Sequence, residues 1–134
     1  MNLYRHKIST GAREKMIDIT DTVCADIRDS GVEQGIAVVY TPHTTAGITI
    51  NENSDPDVRA DFIYGYDKAF PVSDPAYLHA EGNSSAHIKS SAVGASSTVI
   101  IEGGKPILGI WQALYFCEFD GPRERTYLVK IIGG

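Results

Sequence analysis

The sequence predicts a single, mostly β domain with some α: an antiparallel β-sandwich with two or three short helices. Its 134 residues lie within the usual size range of one domain, so we expect one domain over residues 1–134. Short segments rich in β-branched and apolar residues, bounded by turn residues, outnumber the segments with helical spacing. No linker, internal repeat or low-complexity block divides the chain.

Turn residues separate the predicted strands from one another. A Ser-Thr-Gly turn at 9–11 predicts a first hairpin between the segments on either side of it. A Gly-Gly pair at 103–104 is a two-residue hairpin signal and predicts a second hairpin. The predicted strands are 3–8, 13–18, 35–41, 44–51, 97–102, 105–110, 111–119 and 126–132.

Capping residues mark the ends of three predicted helices. Asp55 is a typical N-cap and Pro56 suits the first helical position, so a helix begins there. Gly31 and Gly94 follow the other two helical segments, and glycine is the usual residue just beyond a helix end. The predicted helices are 20–30, 56–68 and 84–93.

Charge and hydropathy argue against two classes of function. The chain has 12 Lys and Arg against 17 Asp and Glu, a net charge of -5, so we expect no nucleic-acid binding. No stretch approaches the roughly 18 apolar residues of a membrane helix, and the N-terminus lacks a signal-peptide run. Cys24 and Cys117 are expected to be reduced core thiols. We therefore predict a soluble, cytoplasmic protein without a membrane partner.

Three histidines lie in polar surroundings and are candidate metal ligands. His43 stands at the entry to a strand in which Thr45 and Asn51 would share its face, because strand residues alternate between faces. His79 and His87 have a carboxylate between them in the sequence. Imidazoles with a carboxylate suit Zn²⁺ better than Mg²⁺, so we expect a divalent metal, Zn²⁺ before Mg²⁺. The alternative is an ordinary solvated strand face with a histidine pair that meets nothing.

The third predicted helix is also a candidate phosphate site. Lys89, Ser90 and Ser91 lie within a serine-rich segment around its start. Free N–H groups and the helix dipole attract anions to such a position, which predicts a small phosphorylated metabolite as ligand. The alternative is an ordinary capped surface helix.

Glu118, Glu52 and Asp61 are the candidate catalytic carboxylates. Glu118 lies among aromatic residues in a strand that is apolar on both faces, where an unpaired carboxylate is costly to bury. It would have to meet a cation, a metal or a proton donor, or act as an acid or base with a raised pKa. The alternative is an ion pair with Arg123 or Arg125 at an exposed strand end. Glu52 and Asp61 belong to an acidic group at the start of the second helix, where one carboxylate could orient a histidine ligand.

Three long motifs stand out in the chain: HTTAGITINENSDPDVRAD at 43–61, HAEGNSSAHIKSS at 79–91 and GIWQALYFCEFDGPR at 109–123. They resemble signatures of the YjbQ family, and the resemblance covers nearly the whole chain. It implies a jelly-roll-like β-sandwich that assembles as a homotrimer. It also implies a polar site near the subunit interface, where a metal or a sulfate is expected.

The resemblance further implies residue roles and an activity. Family members are often labelled secondary thiamine-phosphate synthases, so a weak activity of that kind is expected. The reaction joins a pyrimidine methyl diphosphate to a thiazole phosphate and releases pyrophosphate. A zinc-dependent hydrolase and a non-catalytic trimer that binds a metal or a metabolite are the alternatives. The implied roles are metal ligands for His43, His79 and His87, functional carboxylates for Glu118 and Glu52, and phosphate contacts for Lys89, Ser90 and Ser91.

Overall fold

The computed structural model describes residues 2–134, and over these residues it contains eight strands and three helices. The mostly β class and the three helices are confirmed. The strands are β1 Leu3–Ser9, β2 Lys15–Asp18, β3 Gln34–Tyr40, β4 Ala46–Glu52, β5 Ser96–Glu102, β6 Lys105–Pro106, β7 Gln112–Glu118 and β8 Glu124–Gly133. The helices are α1 Thr20–Ser30, α2 Pro56–Ala69 and α3 Ser84–Val93.

The strands form two antiparallel sheets that face each other. The large sheet has the order β1-β8-β3-β5-β6, and the small sheet has the order β2-β7-β4. Between them lies the main core, which joins Val39 and Val129 of the large sheet to Leu114 and Phe116 of the small sheet. Val23 of α1 is buried in the same cluster, so this helix closes one side of the sandwich.

The first predicted hairpin is wrong, because β1 and β2 belong to different sheets. β1 pairs with β8, and β2 pairs with β7. Thr10, between them, is buried; it accepts a hydrogen bond from the Arg123 N–H at 2.9 Å and donates one to Glu118 Oε1 at 2.8 Å. The segment at 10–14 therefore crosses between the sheets. The second hairpin is confirmed, with Glu102 opposite Lys105.

The outer face of β7 is covered by a helix. Tyr115 and Cys117 are fully buried in a second apolar cluster, against which Phe62 and Tyr66 of α2 pack. The predicted central strand with two apolar faces is confirmed, because one face meets the main core and the other meets α2.

The outer face of β4 lies under α3 at the start of the strand. The hydroxyl of Ser90 donates to the carbonyl of Ala46 at 2.6 Å. Gly47 allows the close approach, because a Cβ there would lie 2.8 Å from Cγ1 of Val93. α3 is therefore held directly against the start of β4.

One end of the sandwich brings together the chain segments that hold most of the polar motifs. Ala46, the first residue of β4, lies opposite Glu118, the last residue of β7. The turn after β7 leads into β8, whose Thr126 donates its N–H to the ring of His43 at 2.9 Å. None of the helices in the described part of the chain is long and apolar enough to cross a membrane.

Candidate functional site

A polar cavity of about 330 Å³ opens at this end of the sandwich, and we call it the arginine pocket. Three distant stretches of chain form it: the segment before β4, the start of α3, and the turn between β7 and β8. Its lining residues are Pro42, His43, Thr44, Thr45, Glu81, Asn83, His87, Asp120, Arg123 and Arg125.

Arg125 is the most firmly held cation of the pocket. Its Nε donates to Glu118 Oε1 at 2.8 Å, and its Nη2 donates to Glu118 Oε2 and to Thr45 Oγ1, the latter at 2.9 Å. The side chains of Arg125 and Glu118 are 5% and 0% exposed. Arg125 lines the cavity, and within residues 2–134 its Nη1 group makes no hydrogen bond, so two N–H donors of the guanidinium are unused.

Glu118 is held as a carboxylate by its surroundings. Burial raises its pKa, but the hydrogen bonds from Arg125, the Asp120 backbone N–H and the Thr10 hydroxyl outweigh burial and hold the pKa below its usual value. The carboxylate therefore stays ionised at neutral pH and fixes Arg125. The ion pair considered from the sequence exists, but it lies in the interior and not at an exposed strand end.

His43 is held as a neutral hydrogen-bond donor. Its Nε2 accepts the Thr126 N–H at 2.9 Å, and a backbone N–H can only donate, so Nε2 is the unprotonated ring nitrogen. Burial and the nearby Arg125 lower the pKa of His43, so the neutral ring carries its single proton on Nδ1. His43, which lines the pocket, thus carries one ring N–H donor, on Nδ1.

The negative charge of Asp120 is offset within the pocket. Arg123 donates from Nη2 to Asp120 Oδ2 at 3.1 Å and from Nε to the Asp120 carbonyl at 2.8 Å. The side-chain amide of Asn83 donates to the same carboxylate at 2.8 Å. Glu81, in contrast, is exposed at the rim, 3.8 Å from Nε2 of His79.

Two further cavities adjoin the arginine pocket at His87. One, of about 460 Å³, is the serine pocket, lined by His43, Thr44, His87, Ser90, Ser91, Gly94 and Ala95. The other, of about 500 Å³, is the apolar groove, lined by Ala76, Tyr77, Leu78, His79, Ser84, His87 and Ile88. The rings of His79 and His87 meet edge to face, with centroids 5.4 Å apart.

Comparison with known proteins decides the family. The family model described as UPF0047 protein YjbQ-like matches residues 4–134. The chain belongs to this family. The UPF0047 protein YugU of Bacillus subtilis is 54% identical to it over 127 residues, which cover 95% of this chain and 96% of the relative. A UPF0047 protein of Methanocaldococcus jannaschii is 54% identical over 131 residues, covering 98% and 94%.

Solved structures of UPF0047 proteins share the fold. An uncharacterised conserved protein of the YjbQ/UPF0047 family from Clostridium acetobutylicum is 53% identical, with a TM-score of 0.94; the match covers 96% of this chain and 99% of that one. A YbjQ-like protein of unknown function from Sulfolobus solfataricus is 30% identical, also with a TM-score of 0.94, covering 98% and 96%. The resemblance seen in the sequence motifs is therefore confirmed over nearly the whole chain.

The UPF0047 fold brings together six of the predicted site residues. His43, His87 and Thr45 line the arginine pocket. Ser90 and Ser91 line the serine pocket with the same two histidines. His79 lies in the adjoining apolar groove, against the ring of His87.

The fold does not bring Asn51, Glu52 and Asp61 to the histidines. Glu52 lies opposite Gln112 at the far end of β4, about 20 Å from the start of that strand at roughly 3.3 Å per residue. Asp61 is exposed on the following helix. The motif at 43–61 therefore spans the length of the domain, because an extended strand separates its two ends.

Lys89 also lies away from the pockets, which corrects its placement as a phosphate contact. Its side chain is 1% exposed, and its Nζ donates to Glu14 Oε2 at 3.0 Å and to Asp67. Lys89 follows His87 by two helical positions, about 200° around α3, so the two side chains point to opposite sides. The lysine joins α3 to α2 and to the segment before β2.

The three-histidine metal centre does not fit this arrangement. The Nε2 of His43 accepts a backbone N–H and its Nδ1 carries the proton, so neither ring nitrogen has a lone pair free for a metal. In the described part of the chain, no three His, Cys, Asp or Glu side chains are grouped to hold a metal ion. His79 and His87, with Glu81 beside them, come nearest to a partial set.

Two arginines and an asparagine of the pocket, Arg123, Arg125 and Asn83, are not among the site residues predicted from the sequence. From the sequence, Arg123 and Arg125 are considered only as partners of Glu118, and no role in the site is predicted for Asn83. The spacing of Arg123 and Arg125 was a usable signal. Residues two positions apart in an extended segment lie on the same side, so this spacing places the two arginines on the same side. Asn83 had no such signal, since its contact with Asp120 joins positions 37 residues apart.

Proposed function

We propose that this UPF0047 chain binds a small phosphorylated metabolite in the arginine pocket, and that weak thiamine-phosphate synthase activity is one expression of that site. One observation carries the proposal. The buried guanidinium of Arg125 is fixed by Glu118 and Thr45 while its Nη1 edge stays free, beside a second arginine at 123.

A guanidinium held in this way suits phosphate. Arginine offers paired N–H donors whose planar geometry matches phosphate oxygens, and a fixed side chain loses little entropy on binding. The cavity volume of about 330 Å³ lies at the lower end of the range for small-ligand sites. Asp120 and Glu118 are already paired with arginines, whereas Glu81 at the rim opposes an anion. We therefore expect modest affinity.

The synthase reaction implied by the family resemblance needs cationic and N–H donors around its leaving group, and the arginine pocket holds donors of both kinds. The carbon–oxygen bond to the diphosphate breaks as the thiazole nitrogen forms the new carbon–nitrogen bond, and negative charge gathers on the leaving diphosphate. Arg123 and Arg125 would offset that charge, and the Nδ1–H of His43 would donate to an oxygen. The thiazole nitrogen has no proton to lose, so the reaction does not require Glu118 as a base.

Binding of inorganic phosphate and pyrophosphate by isothermal titration calorimetry tests the proposal. Arg123→Ala removes one charged donor at an exposed position and should weaken pyrophosphate binding by about tenfold or more. Arg5→Ala, an exposed arginine on β1, is the matched control and should bind normally. The proposal would be refuted if the parent protein showed no saturable binding of either ligand up to about 10 mM. Equal pyrophosphate affinity in Arg123→Ala and Arg5→Ala would also refute it.

Zinc stays a prediction, with the contact between His79 and His87 in its favour. Elemental analysis of the purified protein tests it. One zinc per chain, lost in His87→Ala and kept in His6→Ala, would support a metal centre and reopen the zinc-dependent hydrolase. A metal-free protein that still binds pyrophosphate would remove the metal from the proposal.

The homotrimer is likewise proposed, and the outer face of the large sheet supports it. Ile100, Ile36 and Ile132 lie side by side across β5, β3 and β8, and Ile100 and Ile132 are 60% and 46% exposed. Exposed apolar patches of this kind favour association. Native mass spectrometry should give the mass of three chains for the parent protein. Ile100→Glu should give a smaller assembly, because the substitution places a charge on the proposed interface. An unchanged assembly in that variant would rule out this face as the interface.

A further inference from the structure

We infer that the ligand is a phosphate monoester with an uncharged, apolar body: its phosphate lies in the arginine pocket, and its body packs in the apolar groove on the other side of His87. This inference rests on the proposed function and adds the chemical class of the substrate.

His87 connects the two binding regions. Its ring lines both the arginine pocket and the apolar groove, and the edge-to-face contact with His79 supports it from one side. Ser84, His87 and Ile88 stand three and four positions apart on α3, so they share one side of its first turns. The groove therefore runs along the start of the helix and ends beside the anion site.

The groove selects an apolar group and not a second phosphate. None of its lining residues is an arginine, lysine, aspartate or glutamate. Tyr77, Leu78 and Ile88 form its apolar walls, and Leu78 is 98% exposed. Apolar side chains left this open beside a polar pocket are typical of ligand sites.

Size and continuity favour one small molecule over a docked protein segment. The groove holds about 500 Å³, enough for a ring or a branched alkyl group, and it shares His87 with the cavity of about 330 Å³ that holds the arginine donors. A ligand that spans both regions would place its ester linkage next to the ring of His87. Glu81 at the rim of the arginine pocket repels the phosphate and lowers its affinity. Contacts of the apolar body with the groove would compensate for that loss.

Calorimetric titrations with inorganic phosphate and phenyl phosphate test the inference. Phenyl phosphate should bind about tenfold more tightly, because its ring is removed from water. Ile88→Asn should abolish that gain and leave inorganic phosphate binding unchanged. Ala92→Asn, an exposed position of the same helix outside the groove, is the matched control and should change neither affinity.

The outcomes separate the inference from the proposed function. If neither ligand binds, the anion site itself is refuted. If phosphate binds but phenyl phosphate binds no more tightly, or if Ile88→Asn weakens both ligands alike, the apolar subsite is refuted. Methyl NMR gives a second measurement: the Ile88 signals should shift with phenyl phosphate and not with inorganic phosphate, and unshifted signals would equally overturn the assignment.

Discussion

Glu118 and Arg125 form a buried ion pair in which two nitrogens of the guanidinium bind the two oxygens of the carboxylate. The pair joins the end of β7 to the start of β8, and Thr10 and Thr45 contact it from either side. It lies directly beneath the arginine pocket, so the same contact that stabilises the fold also orients the group proposed to bind phosphate.

Removing the charge of Glu118 should be strongly destabilising. In Glu118→Gln the Arg125 guanidinium stays buried without a counter-ion, which we expect to cost about 3–5 kcal/mol in the free energy of unfolding. Urea denaturation followed by circular dichroism measures it. Glu124→Gln, an exposed glutamate of β8, should cost less than about 1 kcal/mol. The double variant Glu118→Leu with Arg125→Met should recover most of the loss, and a loss below about 1 kcal/mol in Glu118→Gln would contradict the pairing.

The free energy of unfolding should fall in acid, because protonation of Glu118 breaks its ion pair with Arg125. The pKa of Glu118 in the folded protein is lowered from its ordinary value of 4.5 by Arg125 and its other donors, despite the opposing effect of burial. The stabilisation is therefore fully present above about pH 4.5 and is lost as the pH falls toward the lower folded pKa. Unfolding free energies between about pH 6 and pH 3 should show a steeper decline in the parent protein than in Glu118→Gln. Parallel curves would exclude a depressed pKa.

His43 should titrate below its ordinary pKa of 6.5, because burial and Arg125 disfavour its charged form. Stability linked to the neutral ring is then present above about pH 6.5 and is lost as the pH falls through the lowered folded pKa. Nitrogen-15 NMR of the imidazoles reports both properties, with His43→Gln used to assign the signal. The expected spectrum has the proton on Nδ1. A titration at or above pH 6.5 would contradict the lowered pKa, and a proton on Nε2 would contradict the hydrogen bond from Thr126.

Lys89→Met should affect stability and leave phosphate binding unchanged. The substitution leaves the buried carboxylate of Glu14 beside Asp67 without the lysine, which should cost about 3–5 kcal/mol. Lys68→Met, an exposed lysine of α2, is the control and should cost little. Pyrophosphate affinity, measured under conditions in which the variant is folded, should match that of the parent protein. A selective loss of affinity would return Lys89 to the binding site.

Local signals predicted the elements well, because each depends on neighbouring residues alone. α1 and α3 have the predicted bounds, and α2 begins at Pro56 after its Asp55 cap, whose carboxylate accepts the Asp57 N–H at 2.9 Å. The Gly-Gly hairpin and the central strand β7 also follow from turn chemistry and alternation. The pairing of β1 and β2 in different sheets could not be predicted in this way, since the partner strands β8 and β7 lie near the other end of the chain.

The amino-acid sequence by itself determined the family, the mostly β class and the polar segments around His43 and His87, because those properties reside in composition, spacing and local hydrogen bonding. Only the tertiary structure decided which polar residues meet. An extended strand carries Glu52 away from the histidines, a helical turn directs Lys89 to the other side of α3, and strand register places Arg125 on Glu118. Such contacts follow from the closing of long loops and the packing of sheets, which no short stretch of sequence encodes.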